Sequence, residues 1–313
     1  MEDRPLQSSW LASEQHFGAL QEFVSTSAAG RPPGDQGYRE NLYCSWVLLT
    51  YAAMQGAIND QGGACVTILG RAAGRPHDLP PHLRREHHRR TLDFLASCAS
   101  GRLPAVTDQM FHAALSSIDR NDWSEHTRLL VLERNVWPEV VRSWLGRLGS
   151  EHKLGWIDAP VGDSSETLGS QIARLVDERN RFAHGERPVT MLEAEIMCDW
   201  IAAARLFVER VTRTVQEWTI RTFPTLPYPE LGEIDRAVSE RLGECTLAFS
   251  HMAVPLSTRD VVCIWNTATP VFARVVSMQS DGAGVAAVAE GHERLAVTFG
   301  RKVQPDSRIH CLP

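Results

Sequence analysis

The sequence predicts a mainly α-helical chain that ends in a small β-barrel, and three observations carry this expectation. Apolar residues recur at helical spacing through the first 220 or so positions, most clearly at Leu168, Ile172, Leu175 and Phe182. The stretch TFPTLPYPE at 222–230 then places three prolines in nine residues and breaks that pattern. Short β-type runs separated by turn residues follow it. The expected division is an α-helical domain over 1–221, a proline-rich linker over 222–232 and a small β-barrel domain over 233–313.

The elements are expected in the following order. One helix runs from Gln7 to about Ser25 and is broken at Gly30-Arg31-Pro32-Pro33-Gly34. A long apolar helix covers about Tyr38 to Asn59. The segment from Gln61 to Pro81, rich in glycine and proline, reads as loop. The basic stretch HLRREHHRRTLDFLAS forms a helix from His82 to Ser97, and further helices are expected at about Thr107–Ser117, Ser124–Arg134 and Pro138–Leu148, the last stopped by Gly149. The next helix is capped by Ser164 or Ser165, carries Glu166 in its first turn and ends at Gly185 in left-handed conformation. Thr190 caps its antiparallel neighbour, Met191 to about Thr219. A short helix is expected at Glu233–Arg241. The runs DVVCIW (260–265), PVFARVVSM (270–278), AGVAAVAE (283–290) and RLAVTFG (294–300) read as strands of a barrel that is SH3-like in size.

Composition narrows the function classes. With 313 residues, 43% hydrophobic and 22% charged, the chain can bury a sizeable core and is not of disordered composition. The net charge of −6 disfavours a general nucleic-acid coat, so any RNA contact is expected to be local, through a small basic site. The longest nearly apolar run, Trp46 to Ile58, is too short to span a bilayer. The beginning MEDRPLQSSW lacks the features of a signal peptide, and the expected location is cytoplasmic. Seven cysteines, at 44, 65, 98, 198, 245, 263 and 311, form no CxxC pair and indicate neither a zinc ribbon nor a disulfide framework.

The stretch DERNRFAHGE at 177–186 holds the main anomaly. Arg179 stands four residues after Leu175 and three before Phe182, on the apolar seam where the pattern calls for leucine. A buried guanidinium is costly unless it is paired or lies at a wet interface. His184 falls in the last turn, where the helix dipole favours an imidazolium. An imidazole beside a fixed cation is suited to cleaving RNA: the histidine exchanges a proton with the ribose 2′-OH or the leaving 5′-oxygen, and the arginine holds the phosphate. The bland reading stays open, in which the arginine pairs with a buried carboxylate and the histidine only caps the helix.

RNRFAHGE, closing one helix and followed by another, resembles the R-x4-6-H motif of the HEPN superfamily. Three features in order, LYCSWVLLTYAAMQGAIND, LERNVWPEVVRSWLGRLG and the RN-x-x-AHGE helix, resemble its RiboL-PSP-HEPN and MAE_28990/MAE_18760-like branch, over roughly residues 1–220. The resemblance implies a HEPN-type helical bundle followed by a small C-terminal SH3-like β-barrel. It implies a homodimer with endoribonuclease activity that requires neither metal nor cofactor, two copies of the motif facing each other across the interface. Such an interface would explain an arginine on an apolar seam. Family roles carry over to Arg179 as phosphate-binding, His184 as catalytic and Asn180 as orienting the phosphate or the histidine. Gln55-Gly56 stands where many relatives carry a glutamate before the glycine, which puts the strength of catalysis in question.

Other candidates are weaker. Arg84 and Arg85, in a nine-residue stretch with four arginines and three histidines, are candidate RNA contacts together with Arg181, although a solvated helix face explains all three. Adjacent His87 and His88 point to different sides of a helix, which is poor metal geometry. Trp137, Trp144 and Trp156 fit helix packing better than base stacking. From residue 225 onward eight Lys/Arg face ten Asp/Glu, so the barrel is expected to dock a protein, such as an antitoxin or defence-system partner, and not nucleic acid. The leading expectation is a ribonuclease of prokaryotic antiviral defence or of a toxin–antitoxin pair. The alternative is a non-catalytic HEPN dimer serving as a binding scaffold or sensor.

Overall fold

The computed structural model describes residues 5–29, 36–100, 108–119, 129–130, 132, 135–149, 154–161, 165–188, 190–223, 230–241, 244–258, 260–266, 269–300, 303 and 308–311. The chain divides into two compact units, Pro5–Trp218 and a second that contains Thr219–Pro313.

The first unit is built from α1 (Pro5–Ala29), α2 (Gln36–Ala73), α3 (Pro81–Ala99), α4 (Asp108–Asp119), α5 (Pro138–Gly146), α6 (Leu168–Ala183) and most of α7 (Ala194–Thr222). Polar side chains fix the register of the packed pairs. Gln61 of α2 donates to the Leu6 carbonyl and to Ser9 of α1, while the Trp46 indole donates to Ser27. These contacts set α1 and α2 antiparallel. Arg205 of α7 pairs with the buried Glu14 of α1, and Phe94 and Leu95 of α3 pack on Ala114 of α4. Among the described residues no helix is long and apolar enough to cross a membrane.

The loop expected from Gln61 onward is corrected, because α2 continues to Ala73. Its glycines do not break it, and one of them is needed: a Cβ on Gly62 would stand 2.5 Å from the Leu130 carbonyl oxygen. That oxygen accepts a hydrogen bond from the buried Trp144 indole at 2.8 Å. Close packing therefore overrides glycine's poor helix propensity. Of the three tryptophans read as core, Trp144 is fully buried and Trp137 and Trp156 are partly so. The helix expected at Ser124–Arg134 lies outside the described residues apart from the buried Leu129, Leu130 and Leu132. The residues 224–229 of the proline-rich linker lie outside them as well.

The second unit is a curled antiparallel sheet, a half-barrel in place of the barrel expected. Its strands are β1 (Gly232–Arg241), β2 (Glu244–Met252), β4 (Val261–Asn266), β5 (Thr269–Ser280), β6 (Ala283–Val285), β8 (Glu293–Phe299) and β9 (Arg308–Cys311), in the order β1-β2-β8-β5-β4-β9 with β6 on β5. The short β3 (Leu256–Ser257) and β7 (Ala287–Val288) pair separately. The two edges approach at one end, where Glu230 bridges His310 and the Leu231 amide donates to the Ile309 carbonyl at 2.7 Å. Alternate residues Cys245, Leu247 and Phe249 of β2 and Leu295, Val297 and Phe299 of β8 point into the common core. The expected Ser-Asp-Gly turn is tight, with positive φ at both Asp281 (49°) and Gly282 (80°), as a two-residue hairpin demands. The helix expected at Glu233–Arg241 is corrected to the strand β1, which pairs with β2 along its length. Cross-strand pairing with β2, a strand outside the expected set, decided this segment.

Candidate functional site

The site is organised by α6. Thr167 is its N-cap and its hydroxyl accepts from the Ser170 amide at 3.1 Å, which corrects the expected cap at Ser164 or Ser165. Leu168, Ile172, Leu175 and Val176 are buried, and Gly169 lets the helix approach Ile157, whose carbonyl oxygen would be 2.9 Å from an added Cβ. At the other end the Gly185 amide donates to the Phe182 carbonyl and the Glu186 amide to the Arg181 carbonyl, both at 3.0 Å. Gly185 has φ 82°. This pairing is a Schellman motif, and it ends the helix where the sequence predicts.

Arg179 lies half-buried on the seam, and its guanidinium carbon stands 4.6 Å from the centre of the Tyr51 ring of α2. Its Nη1 donates to Asn180 Oδ1 at 3.0 Å. The same oxygen accepts from Asn135 Nδ2 at 2.9 Å. Asn135 Oδ1 in turn accepts from the Tyr51 hydroxyl at 3.2 Å, and that hydroxyl accepts from the Val136 amide at 3.2 Å. Burial pushes the Tyr51 pKa up despite the nearby guanidinium, so the phenol is neutral and acts as a donor. Among the described residues no carboxylate pairs with Arg179.

His184 is the C-cap residue of α6 and is exposed. Its backbone amide closes the helix on the carbonyls of Asn180 and Arg181. Among the described residues no hydrogen bond joins its side chain to Arg179. Arg181 is tied to Glu178 at 3.2 Å and to Glu186 at 3.0 Å. Glu178 also accepts from the Tyr43 hydroxyl at 3.3 Å, and the Tyr43 ring meets Phe182 edge-on. Arg174, Asp177, Glu178 and Arg181, spaced three and four apart, share the helix face turned away from Arg179. With Tyr43, Thr190, Leu192 and Trp200 they line an open cleft of about 630 Å³, in which the Arg174 guanidinium lies 5.5 Å from the Trp200 ring centre.

The basic stretch lies on α3. Arg84 donates to the His77 carbonyl, and Arg85 is exposed. Arg89 and Arg90 converge on Glu86. The reading of this stretch as a solvated face is corrected for His87, which is fully buried. Burial, with His88 beside it, drives the pKa of His87 down to about 4. Among the described residues no group of three or more His, Cys, Asp or Glu is placed to hold a metal ion.

Tyr51 and Asn135 were missed by the residue-level reading. A signal existed for Tyr51, because a tyrosine inside an apolar helix needs a partner for its hydroxyl, but none identified Asn135 as that partner.

The first unit is helical, and its amphipathic α6 closes with Arg179, Asn180, the C-cap His184 and then Gly185. The RiboL-PSP-HEPN family model matches residues 18–217, and the chain belongs to that family. HEPN domains of this kind are generally ribonucleases or nucleotide-binding domains. No curated protein and no solved structure matches the chain.

Proposed function

We propose that the chain is a metal-independent endoribonuclease whose site is formed by Arg179 and His184, with Asn180 in support, at the interface of a homodimer. The observation that carries this reading is the state of Arg179. It occupies an apolar seam, yet it rests on an aromatic face and an amide oxygen with no carboxylate partner among the described residues. A half-buried cation without a counter-charge attracts an anion, and a phosphodiester supplies one.

In this reading the ribose 2′-oxygen attacks the adjacent phosphorus while the bond to the 5′-oxygen breaks. One proton leaves the 2′-hydroxyl and one reaches the departing 5′-oxygen. The exposed His184 exchanges one of these, and the Arg179 guanidinium stabilises charge on the non-bridging oxygens. Residues 1–221 act as the nuclease domain. The C-terminal unit docks a protein partner, in a prokaryotic defence or toxin–antitoxin setting.

The test is cleavage of a mixed RNA pool by the purified chain in EDTA, beside His184→Ala. Cleavage by the wild type and loss in the variant are expected. A folded wild type that leaves every RNA intact would transfer the reading to a non-catalytic HEPN scaffold.

A further inference from the structure

We infer that Tyr51 and Asn135 are positioning residues that hold Arg179 and Asn180 in a single donor-presenting arrangement. This rests on the ribonuclease reading for its functional consequence but not for its physical content. The direction of every hydrogen bond in the group is dictated by chemistry. A guanidinium only donates, so the Asn180 atom that it meets at 3.0 Å is the carbonyl oxygen. The Asn135 atom 2.9 Å from that oxygen must then be its amide nitrogen. The other end of Asn135 is therefore an acceptor, and the Tyr51 hydroxyl donates to it at 3.2 Å. The Val136 amide fills an acceptor site of the same hydroxyl. Donation runs from the Val136 amide through Tyr51 and Asn135 to Asn180 Oδ1, where the Arg179 N–H donates from the other side, with no alternative amide orientation.

Two consequences follow for a ligand. Asn180 Oδ1 already accepts twice, so the amide group it can offer is Nδ2, whose hydrogens nothing among the described residues accepts. Asn180 is thus fixed as a donor and suits a phosphate oxygen, not an imidazole N–H. The Tyr51 ring supports one face of the guanidinium, 4.6 Å from its centre, which leaves Nη2 and Nε to bind an anion. The two donors come from adjacent residues of one helix, and two other segments, α2 and the chain just before α5, hold them still.

The experiment uses arginine-selective ¹⁵N labelling of the full chain, with the Arg179 signal assigned by its loss in Arg179→Lys. In the wild type the Arg179 Nη resonances are expected to be resolved, because rotation about the Cζ–Nη bonds is hindered. In Asn135→Ala and Tyr51→Leu they are expected to average, while Tyr51→Phe, which keeps the ring, lies between. In parallel, Asn135→Ala is expected to lower kcat/KM for RNA roughly 10- to 100-fold while thermal unfolding stays cooperative and falls by only a few degrees, and Tyr51→Phe to lose less than Tyr51→Leu. Averaged Nη signals in the wild type, or resolved signals in Asn135→Ala, overturn the inference whatever the activity. Resolved signals in a wild type that cleaves no RNA leave the positioning intact and overturn the ribonuclease reading alone.

Discussion

The Arg179 guanidinium lies 4.6 Å from the centre of the Tyr51 ring, so a position that the heptad-like pattern of α6 assigns to leucine is filled by a cation on an aromatic face. The ring accepts the charge from below and the Asn180 amide oxygen accepts one N–H at the edge. This arrangement is tolerable for the fold but is not what the fold alone would select, since leucine would continue the seam of Leu168, Ile172 and Leu175 without desolvating a charge.

Arg179→Leu is therefore expected to unfold at the same temperature as the wild type or a few degrees higher, while losing RNA cleavage. Thermal unfolding followed by circular dichroism, beside the cleavage assay, checks both halves. A large drop in melting temperature would show that the guanidinium is chiefly structural.

The two adjacent glycines of α2 separate packing from propensity. Gly62→Ala must push its methyl against the Leu130 carbonyl and is expected to cost about 1–3 kcal/mol. Gly63→Ala meets nothing within 4 Å and is expected to stabilise the helix by about 0.5–1 kcal/mol. Urea unfolding of both variants decides whether α2 is held as described.

The ends of α6 give a second stability test. Thr167→Ala removes the acceptor of the Ser170 amide and is expected to cost about 1 kcal/mol. Gly185→Ala forces a side chain into φ 82° and is expected to cost about 1 kcal/mol as well. The second variant should also disturb the neighbouring His184, so its loss of cleavage should exceed that of Thr167→Ala.

His87 makes stability depend on acid. Its folded pKa is about 4 against an ordinary value near 6.5. Between those values the unfolded chain binds a proton that the folded chain refuses, so stability falls as pH falls through that window. The loss amounts to about 3 kcal/mol. His87→Gln, neutral throughout, is expected to flatten this part of the profile, which urea midpoints measured from pH 4 to 7 would reveal.

Much of this molecule was legible in the sequence where the signal is local. The seam of α6, its glycine stop and the turn at Asp281-Gly282 all follow from side-chain periodicity or backbone freedom at single positions. The misreadings came where distant contacts decide. Glycines at 62 and 63 read as loop because the Leu130 carbonyl that Gly62 accommodates is almost seventy positions away. Residues 233–241 read as helix because their partner β2, with its alternating Cys245, Leu247 and Phe249, was passed over, and the pairing that makes them a strand is tertiary. The site was half visible: Arg179, Asn180 and His184 share one motif, whereas Tyr51 and Asn135 join them only through tertiary hydrogen bonds.

The central claim is that Arg179 and His184 cleave RNA through the ribose 2′-oxygen, and the most direct measurement is the chemistry of the new ends. Fragments produced in EDTA should carry 2′,3′-cyclic phosphate and 5′-hydroxyl termini, and none should form with His184→Ala. Fragments with 3′-hydroxyl and 5′-phosphate ends, or cleavage that persists unchanged in His184→Ala, would contradict the account.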